Sequence, residues 1–381
     1  MNIIYRALTL FQIVWAEEYE FTTEDMSKKH LSVKGSKFTS LNDNIKECKE
    51  LESLEIKGTS IASLPPSIGE LEKLKNLTIC YNFNLESLPE ELFNCSKLEI
   101  LDLSKSKLIS LSDRIGELKD LKSLTLTSNN LQSLPAGLFE CSKLKKLCAG
   151  KNKLTSLPDE IGNLEMLEEL NLKKNELKEL PASIGKLKKM VTLDLCSNDL
   201  DNLPEEIGEN LKYLYLSENL FKQGPAAIGK CLQLKELDIS DNELEKLDAN
   251  IGNLIGLTSL RLEKNQFEQF PFEITKLTNL TLLYLNENHL TNVPAEIENL
   301  EKLKDLSLAK NKFEQFPDGI TNLKKLKMLY FSENKLKSLP AGIEKLQNLS
   351  DLDLADNKFE QFPVELTKLK NLGGLISQVI N

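Results

Sequence analysis

Apolar residues return along this chain on a schedule of about 23 residues from Leu51 onward. One pass places Leu167, Leu170, Leu172, Asn175, Leu177, Leu180, Pro181, Ile184, Gly185 and Leu187 among charged and small polar residues. Counted from the first Leu as zero, apolar residues take offsets 0, 3, 5, 10, 13, 17 and 20, with Asn at 8 and Pro at 14. Offsets 3 and 5 alternate, so they form the inward side of a short strand and leave 2, 4 and 6 on the other side. A buried Asn at offset 8 has donors and an acceptor for the backbone as the chain leaves the strand. Pro at offset 14 fixes φ and lacks an N–H, which suits an extended return outside any sheet ladder. The following Ile-Gly and Leu turn the chain back to the next strand.

Fifteen units fit this frame between 28 and 371, and thirteen of them are 23 residues long. Unit 74–97 has one extra residue near Phe83-Asn84, and unit 190–210 lacks two after Ile207-Gly208. Unit 28–50 is degenerate but keeps Leu31, Val33, Phe38, Leu41 and Ile45 in frame. The Asn occurs in twelve of fifteen units, with Ser36, Thr59 and Ser106 in the others; Pro also occurs in twelve. Phe-Glu-Gln-Phe-Pro recurs at 267, 313 and 359, a spacing of 46 residues that indicates duplication of two-unit blocks. The Phe pairs fall at offsets 10 and 13 and are expected to point into the core. The domain reading is residues 1–27 as an N-terminal cap helix or signal segment, 28–371 as the repeat domain, and 372–381 as a partial terminal repeat. In that last segment Leu372 to Leu375 begins a sixteenth strand.

The unit matches the leucine-rich repeat consensus L-x-x-L-x-L-x-x-N-x-L. Its return, LPxxIGxL, resembles that of the intracellular Ras-group leucine-rich repeat proteins and their bacterial relatives. The resemblance implies an α/β-type repeat solenoid, a horseshoe with one parallel concave sheet and irregular or 3-10 convex returns. It also implies a protein or peptide partner, with small GTPases one class bound by such proteins, and a place in signal transduction. No GTPase, kinase, ubiquitin-ligase or PDZ-like segment accompanies the repeats, so the activities of those domains are not implied.

One sheet face meets the returns and the other stays open, so the open face is the expected binding surface. Offset 4 holds Tyr215, Asp238, Arg261, Tyr284 and Tyr330 in close succession, and offset 2 adds Tyr213, Leu282 and Met328. Tyr and Arg dominate interface hot spots, and nothing in the repeat requires them outward. The candidate partner-binding residues are therefore Tyr213, Tyr215, Asp238, Arg261, Tyr284 and Tyr330. Asp194, Asp238 and Asp353 flank the patch and suggest a partner with positive charge.

Composition narrows the function classes. With 48 Lys+Arg against 58 Asp+Glu the net charge is −10, which argues against a nucleic-acid surface. Arg6, Arg114 and Arg261 are the only arginines, so bidentate anion clamps are scarce. Two His, His30 and His289, stand eleven units apart, and no nucleophile–base–orienter set occurs. No catalytic, metal or cofactor residues are expected, and the protein reads as non-enzymatic. Gly224 to Cys231 nearly spells a P-loop, but Cys231 replaces the metal-binding hydroxyl and the segment is the return of its repeat. Cys48, Cys95, Cys141 and Cys231 take the offset-20 Leu position as small core residues. Cys80, Cys148 and Cys196 fall at outward offsets and are expected to line the open face.

No CxxC and an odd count of seven Cys favour a reducing compartment, hence the cytoplasm. The N-terminus holds the competing reading. Ile4, Leu8, Phe11 and Trp15 form a helical stripe, yet residues 1–16 also fit a short signal peptide. The alternative is accordingly an exported surface or adhesin-like repeat protein. The sequons at Asn76, Asn94, Asn279 and Asn348 fall at unit junctions and arise from the repeat text. No stretch reaches the ~18 apolar residues of an integral membrane segment.

Overall fold

The structure is a computed structural model and describes residues 17–373. The helical stripe or signal segment of residues 1–16 lies outside the described residues, as do residues 374 and 375 of the proposed sixteenth strand. The chain divides into two compact units, one ending at Leu154 and the other starting at Thr155.

In the first unit, strands β2 (His30–Lys34), β4 (Ser53–Lys57), β5 (Asn76–Cys80), β6 (Ile100–Asp102), β7 (Ser123–Thr125) and β8 (Lys146–Cys148) pair in parallel in that order. Ahead of them, β1 (Glu17–Tyr19) pairs in parallel with β3 (Phe38–Leu41). A one-turn helix, Thr23–Met26, follows β1 with a reciprocal cap between Thr22 and Asp25. Tyr19 packs its ring edge-on against Phe21 and Phe38, each 5.1 Å away.

The second unit contains β9 (Glu169–Asn171), β10 (Thr192–Asp194), β11 (Tyr213–Tyr215), β12 (Glu236–Asp238), β13 (Ser259–Arg261), β14 (Leu282–Tyr284), β15 (Asp305–Ser307), β16 (Met328–Tyr330) and β17 (Asp351–Asp353). Each pairs in parallel with the next, Leu on Leu, so every offset forms a straight column across the sheet.

Both units are built from one local design. The offset-3 and offset-5 Leu are buried, Leu260 and Leu262 fully. A few residues beyond the strand, offset 7 takes a left-handed backbone in thirteen non-glycine residues, for example Lys264 at φ 54°. That turn aims the next residue, the Asn, into the core. Asn265 Nδ2 donates to the carbonyls of Ile239 (3.1 Å) and Leu262 (3.1 Å), and its Oδ1 accepts from Leu244 N (3.0 Å). The column of such Asn satisfies backbone groups that no strand reaches, which a buried chain requires.

The offset-14 Pro is the N-cap of a five-residue 3-10 turn, such as Ala226–Lys230 after Pro225. Where Pro is missing, Asn42, Ser112 and Asp248 stand instead, and each side chain accepts from the backbone N–H two residues on. A preset φ and a capping oxygen are thus alternative ways to start the turn. The turns of neighbouring repeats nearly touch. A Cβ on Gly229 would lie 2.9 Å from the Asn250 carbonyl carbon and oxygen, so a side chain there needs the turns to part. Unit 190–210, two residues short, forms no 3-10 turn, and Gly208 takes φ 123° there.

Two expectations are corrected. Of the Phe pairs, Phe267, Phe313, Phe316 and Phe359 are buried, but Phe270 is half-buried and Phe362 is 41% exposed. Phe316 stays covered because it stacks on Phe331 of the next repeat, 5.3 Å away. The residue corresponding to Phe331 beside Phe270 is the smaller Leu285, and the corresponding position for Phe362 lies outside the described residues. Cys80, Cys148 and Cys196 do not line an open surface; all seven Cys are buried. Burial pushes the Cys196 thiol up to about 12, and its Sγ accepts from the Ser217 hydroxyl at 3.0 Å.

Candidate functional site

In the second unit, β11 to β17 carry two outward columns in register. One runs Tyr215, Asp238, Arg261, Tyr284, Ser307, Tyr330, Asp353, and the other Tyr213, Glu236, Ser259, Leu282, Asp305, Met328, Asp351. The sheet therefore brings the expected site residues onto one face. Tyr213 is exposed, whereas Tyr215, Asp238, Arg261, Tyr284 and Tyr330 are half-buried.

These side chains hold one another. The Arg261 guanidinium lies 4.9 Å from the Tyr284 ring centroid, and its Nη1 is 3.7 Å from Glu263 Oε1. Tyr284 donates its hydroxyl to Asp305 Oδ2 at 2.9 Å. Tyr330 sets its hydroxyl 3.5 Å from Met328 Sδ. Burial, reinforced by Glu236, pushes the Tyr215 phenol up to about 12; burial and the bond to Asp305 do the same for Tyr284. Both phenols are hydrogen-bond donors at any physiological pH.

Two acidic residues belong to this face that the sequence reading passed over. Asp305 is 7% exposed, and its Oδ1 has no partner among the described residues; Glu263 Oε2 is likewise unpartnered. Burial raises the pKa of both carboxyls. Their signal was available in the columns, since Asp305 follows Leu282 at offset 2 and Glu263 replaces a small residue at offset 6. Acidic residues are common on outward positions, however, so neither stood out.

The Asp column has a local task. Asp238 Oδ1 accepts from Ser240 N (3.0 Å), as Asp194 does from Cys196 N (3.1 Å) and Asp353 from Ala355 N (3.0 Å). Each pins the strand exit through one oxygen. The P-loop-like segment is the 3-10 turn after Pro225, with Lys230 paired to Glu205 at 2.9 Å. His289 Nε2 meets Gln266 Oε1 at 3.0 Å. Among the described residues no group of His, Cys, Asp and Glu is placed to hold a metal, and no helix is long and apolar enough to cross a membrane.

The family model for the leucine-rich repeat region matches residues 89–175, 211–311 and 280–379. Among solved structures, a leucine-rich repeat protein of Leptospira interrogans is 32% identical, with TM-score 0.82 over 93% of this chain and 98% of that one. The ectodomain of the plant receptor kinase GASSHO1/SCHENGEN3 from Arabidopsis thaliana, solved in complex with CASPARIAN STRIP INTEGRITY FACTOR 2, is 26% identical. It has TM-score 0.66, covering 90% of this chain and 48% of that one. An internalin of Listeria monocytogenes shares the fold at 21% identity, with TM-score 0.65 over 86% of this chain and 87% of its own. No curated protein matches the sequence. The Asn column, the parallel strands with their 3-10 returns, and these matches agree: the chain belongs to the leucine-rich repeat family.

Proposed function

We propose that the protein is a non-enzymatic scaffold that grips a protein or peptide partner on the outer strand face of its second unit. The contact is made by Tyr213, Tyr215, Asp238, Arg261, Tyr284 and Tyr330. The observation that carries this reading is the chain from Glu263 through Arg261 and Tyr284 to Asp305. It fixes a planar cation and an aromatic ring on an open face and leaves two carboxylate oxygens without partners. Rigid aromatic and Arg anchors lose little conformational freedom on binding, which is why they dominate hot spots. The acidic surroundings favour a partner with positive charge. The plant receptor ectodomain in its complex supports a binding role for this architecture. A role in signalling, and a small GTPase as partner, rest on the resemblance of the returns to the Ras group, whereas a cytoplasmic location rests on the seven unpaired cysteines.

The test combines Tyr215→Ala, Tyr284→Ala and Tyr330→Ala in one chain, with folding checked by circular dichroism. Proteins captured from host lysate by the wild type are expected to be lost by the folded triple variant. An unchanged captured set overturns the site. Intact mass of protein from the native host tests the location: a product starting at Glu17 means export.

A further inference from the structure

The first unit departs from its own repeat pattern at one place, three times over. Tyr81 takes the left-handed position at φ 59°, where the other non-glycine residues are Lys, Ser, Glu or Asp. A bulky aromatic in that conformation is strained, and such strain persists where the surroundings hold it. Two residues on, the extra residue of unit 74–97 pushes Phe83 out to 57% exposure, while Leu85 beyond it returns to the core. Asn84 anchors the bulge by donating to the Ser60 carbonyl at 3.2 Å. The two rings meet edge to face at 6.5 Å and line, together with Lys57 and Gly58, an open groove of about 490 Å³.

Two lysines flank this pair. Lys105 Nζ sits 4.2 Å from the Tyr81 ring centroid and donates to its hydroxyl at 2.6 Å; Lys57 Nζ sits 5.5 Å from the same ring. Many lysines of this unit pair with a carboxylate one repeat away, as Lys75 does with Glu52 at 2.7 Å and Lys122 with Glu99 at 2.6 Å. Lys57 and Lys105 pair with no carboxylate among the described residues. Of the nearby acids, Glu55 pairs with Lys34 (2.9 Å) and accepts from Ser32 (2.7 Å), feeling Lys57 only as a more distant charge, and Asp102 accepts from Ser104 N (2.9 Å).

We propose that Lys57, Tyr81, Phe83 and Lys105 form a docking surface for an acidic segment of a partner protein, one carrying an apolar side chain beside its carboxylates. The apolar side chain packs on Phe83 in the groove, and the carboxylates meet the two ammonium groups. Lysines act as point charges and suit single carboxylates, whereas planar bidentate recognition of phosphate favours Arg, which this patch lacks. Extended polyanions such as nucleic acid or an anionic bilayer are repelled by the remainder of a chain of net charge −10. A short acidic segment touches only the patch. This surface is independent of the tyrosine column of the second unit.

The test measures fluorescence anisotropy of a fluorescein-labelled peptide of alternating Glu and Phe, with its Gln and Lys counterparts as controls. The acidic peptide is expected to bind the full chain saturably, more weakly as salt rises, and the controls not at all. Charge reversal at both lysines, K57E with K105E, is expected to weaken binding at least about tenfold, and Phe83→Ser to weaken it as well. Tyr284→Ala should leave it unchanged, which separates this surface from the proposed tyrosine site. Thermal melts check folding, and K57Q replaces the double reversal if that variant does not fold. Absence of saturable binding overturns the proposal, as does binding insensitive to the lysine and Phe83 changes. Stronger lysine-dependent binding to phosphatidylserine vesicles than to the peptide also overturns it.

Discussion

Arg261 stacks its guanidinium over the ring of Tyr284, 4.9 Å from the centroid, and so both residues are oriented before any partner arrives. At a half-buried site this contact contributes about 0.5–1 kcal/mol to stability. Arg261→Ala is expected to lower the free energy of unfolding by that amount, read from urea melts. Partner affinity should fall further, by about 2 kcal/mol or more. Arg261→Lys should recover little of either, because an ammonium cannot stack as a plane. Equal losses of stability and affinity would mean that Arg261 only supports the sheet.

Asp305 and Glu263 bear on pH dependence. Burial holds both carboxyls above their ordinary values of 3.8 and 4.5. The folded state keeps protons that the unfolded chain releases, so stability falls as pH rises from those ordinary values through the raised ones. Above that window the cost is complete. Asp305→Asn and Glu263→Gln should therefore each stabilise the protein near pH 7, by about 0.5–2 kcal/mol. The gain should vanish below about pH 3, where the wild-type carboxyls are protonated whether folded or not. Chemical denaturation across the pH range checks this; a gain independent of pH would remove the carboxylate charge as its cause.

Asn265→Ala strips partners from the carbonyls of Ile239 and Leu262 and from the N–H of Leu244. Each buried group left alone costs about 1–3 kcal/mol, so a total of about 2–4 kcal/mol is expected once water enters the gap. Asn265→Asp should be no better near neutral pH, since a carboxylate has no donor for the carbonyls. Urea unfolding of both variants decides it.

Asp248 separates the two ways of starting a turn. Its side chain accepts from Asn250 N at 2.9 Å, and its φ is −70°. Asp248→Ala should cost about 1 kcal/mol for the lost cap. Asp248→Pro should restore most of that loss, because the backbone already has the φ that Pro imposes. A Pro variant less stable than the Ala variant would show that the ring clashes with a neighbouring repeat.

The repeat phase alone placed the strands, the buried Asn and the parallel stacking, because each depends on which offsets are apolar. The left-handed residue at offset 7 was not legible. Lys264, Glu287 and Asp356 carry no glycine signature, and the Asn beside them drives the conformation through its backbone bonds. The outward tyrosines were legible because they break a pattern. Asp305 was not, because its distinction lies in its burial on the folded sheet and in the hydroxyl of Tyr284 that bonds to it. Phe270 and Phe316 share the same Phe-Glu-Gln-Phe-Pro context, yet Phe316 is covered, stacked on the ring of Phe331, and Phe270 is half-buried.

The bonds of the Asn column also bear on how such a chain can grow. Asn311 bonds to Leu285 and Leu290, and Asn357 to Phe331 and Leu336, at the same separations of 26 and 21 residues. Among the described residues no bond of this kind reaches beyond the adjacent repeat. Excising or copying a 46-residue block such as 268–313 therefore leaves every remaining Asn with a donor and acceptors at the same spacing. Recombination within the gene can lengthen or shorten the array by whole blocks without creating an unsatisfied core. The three copies of Phe-Glu-Gln-Phe-Pro are what such a history leaves behind.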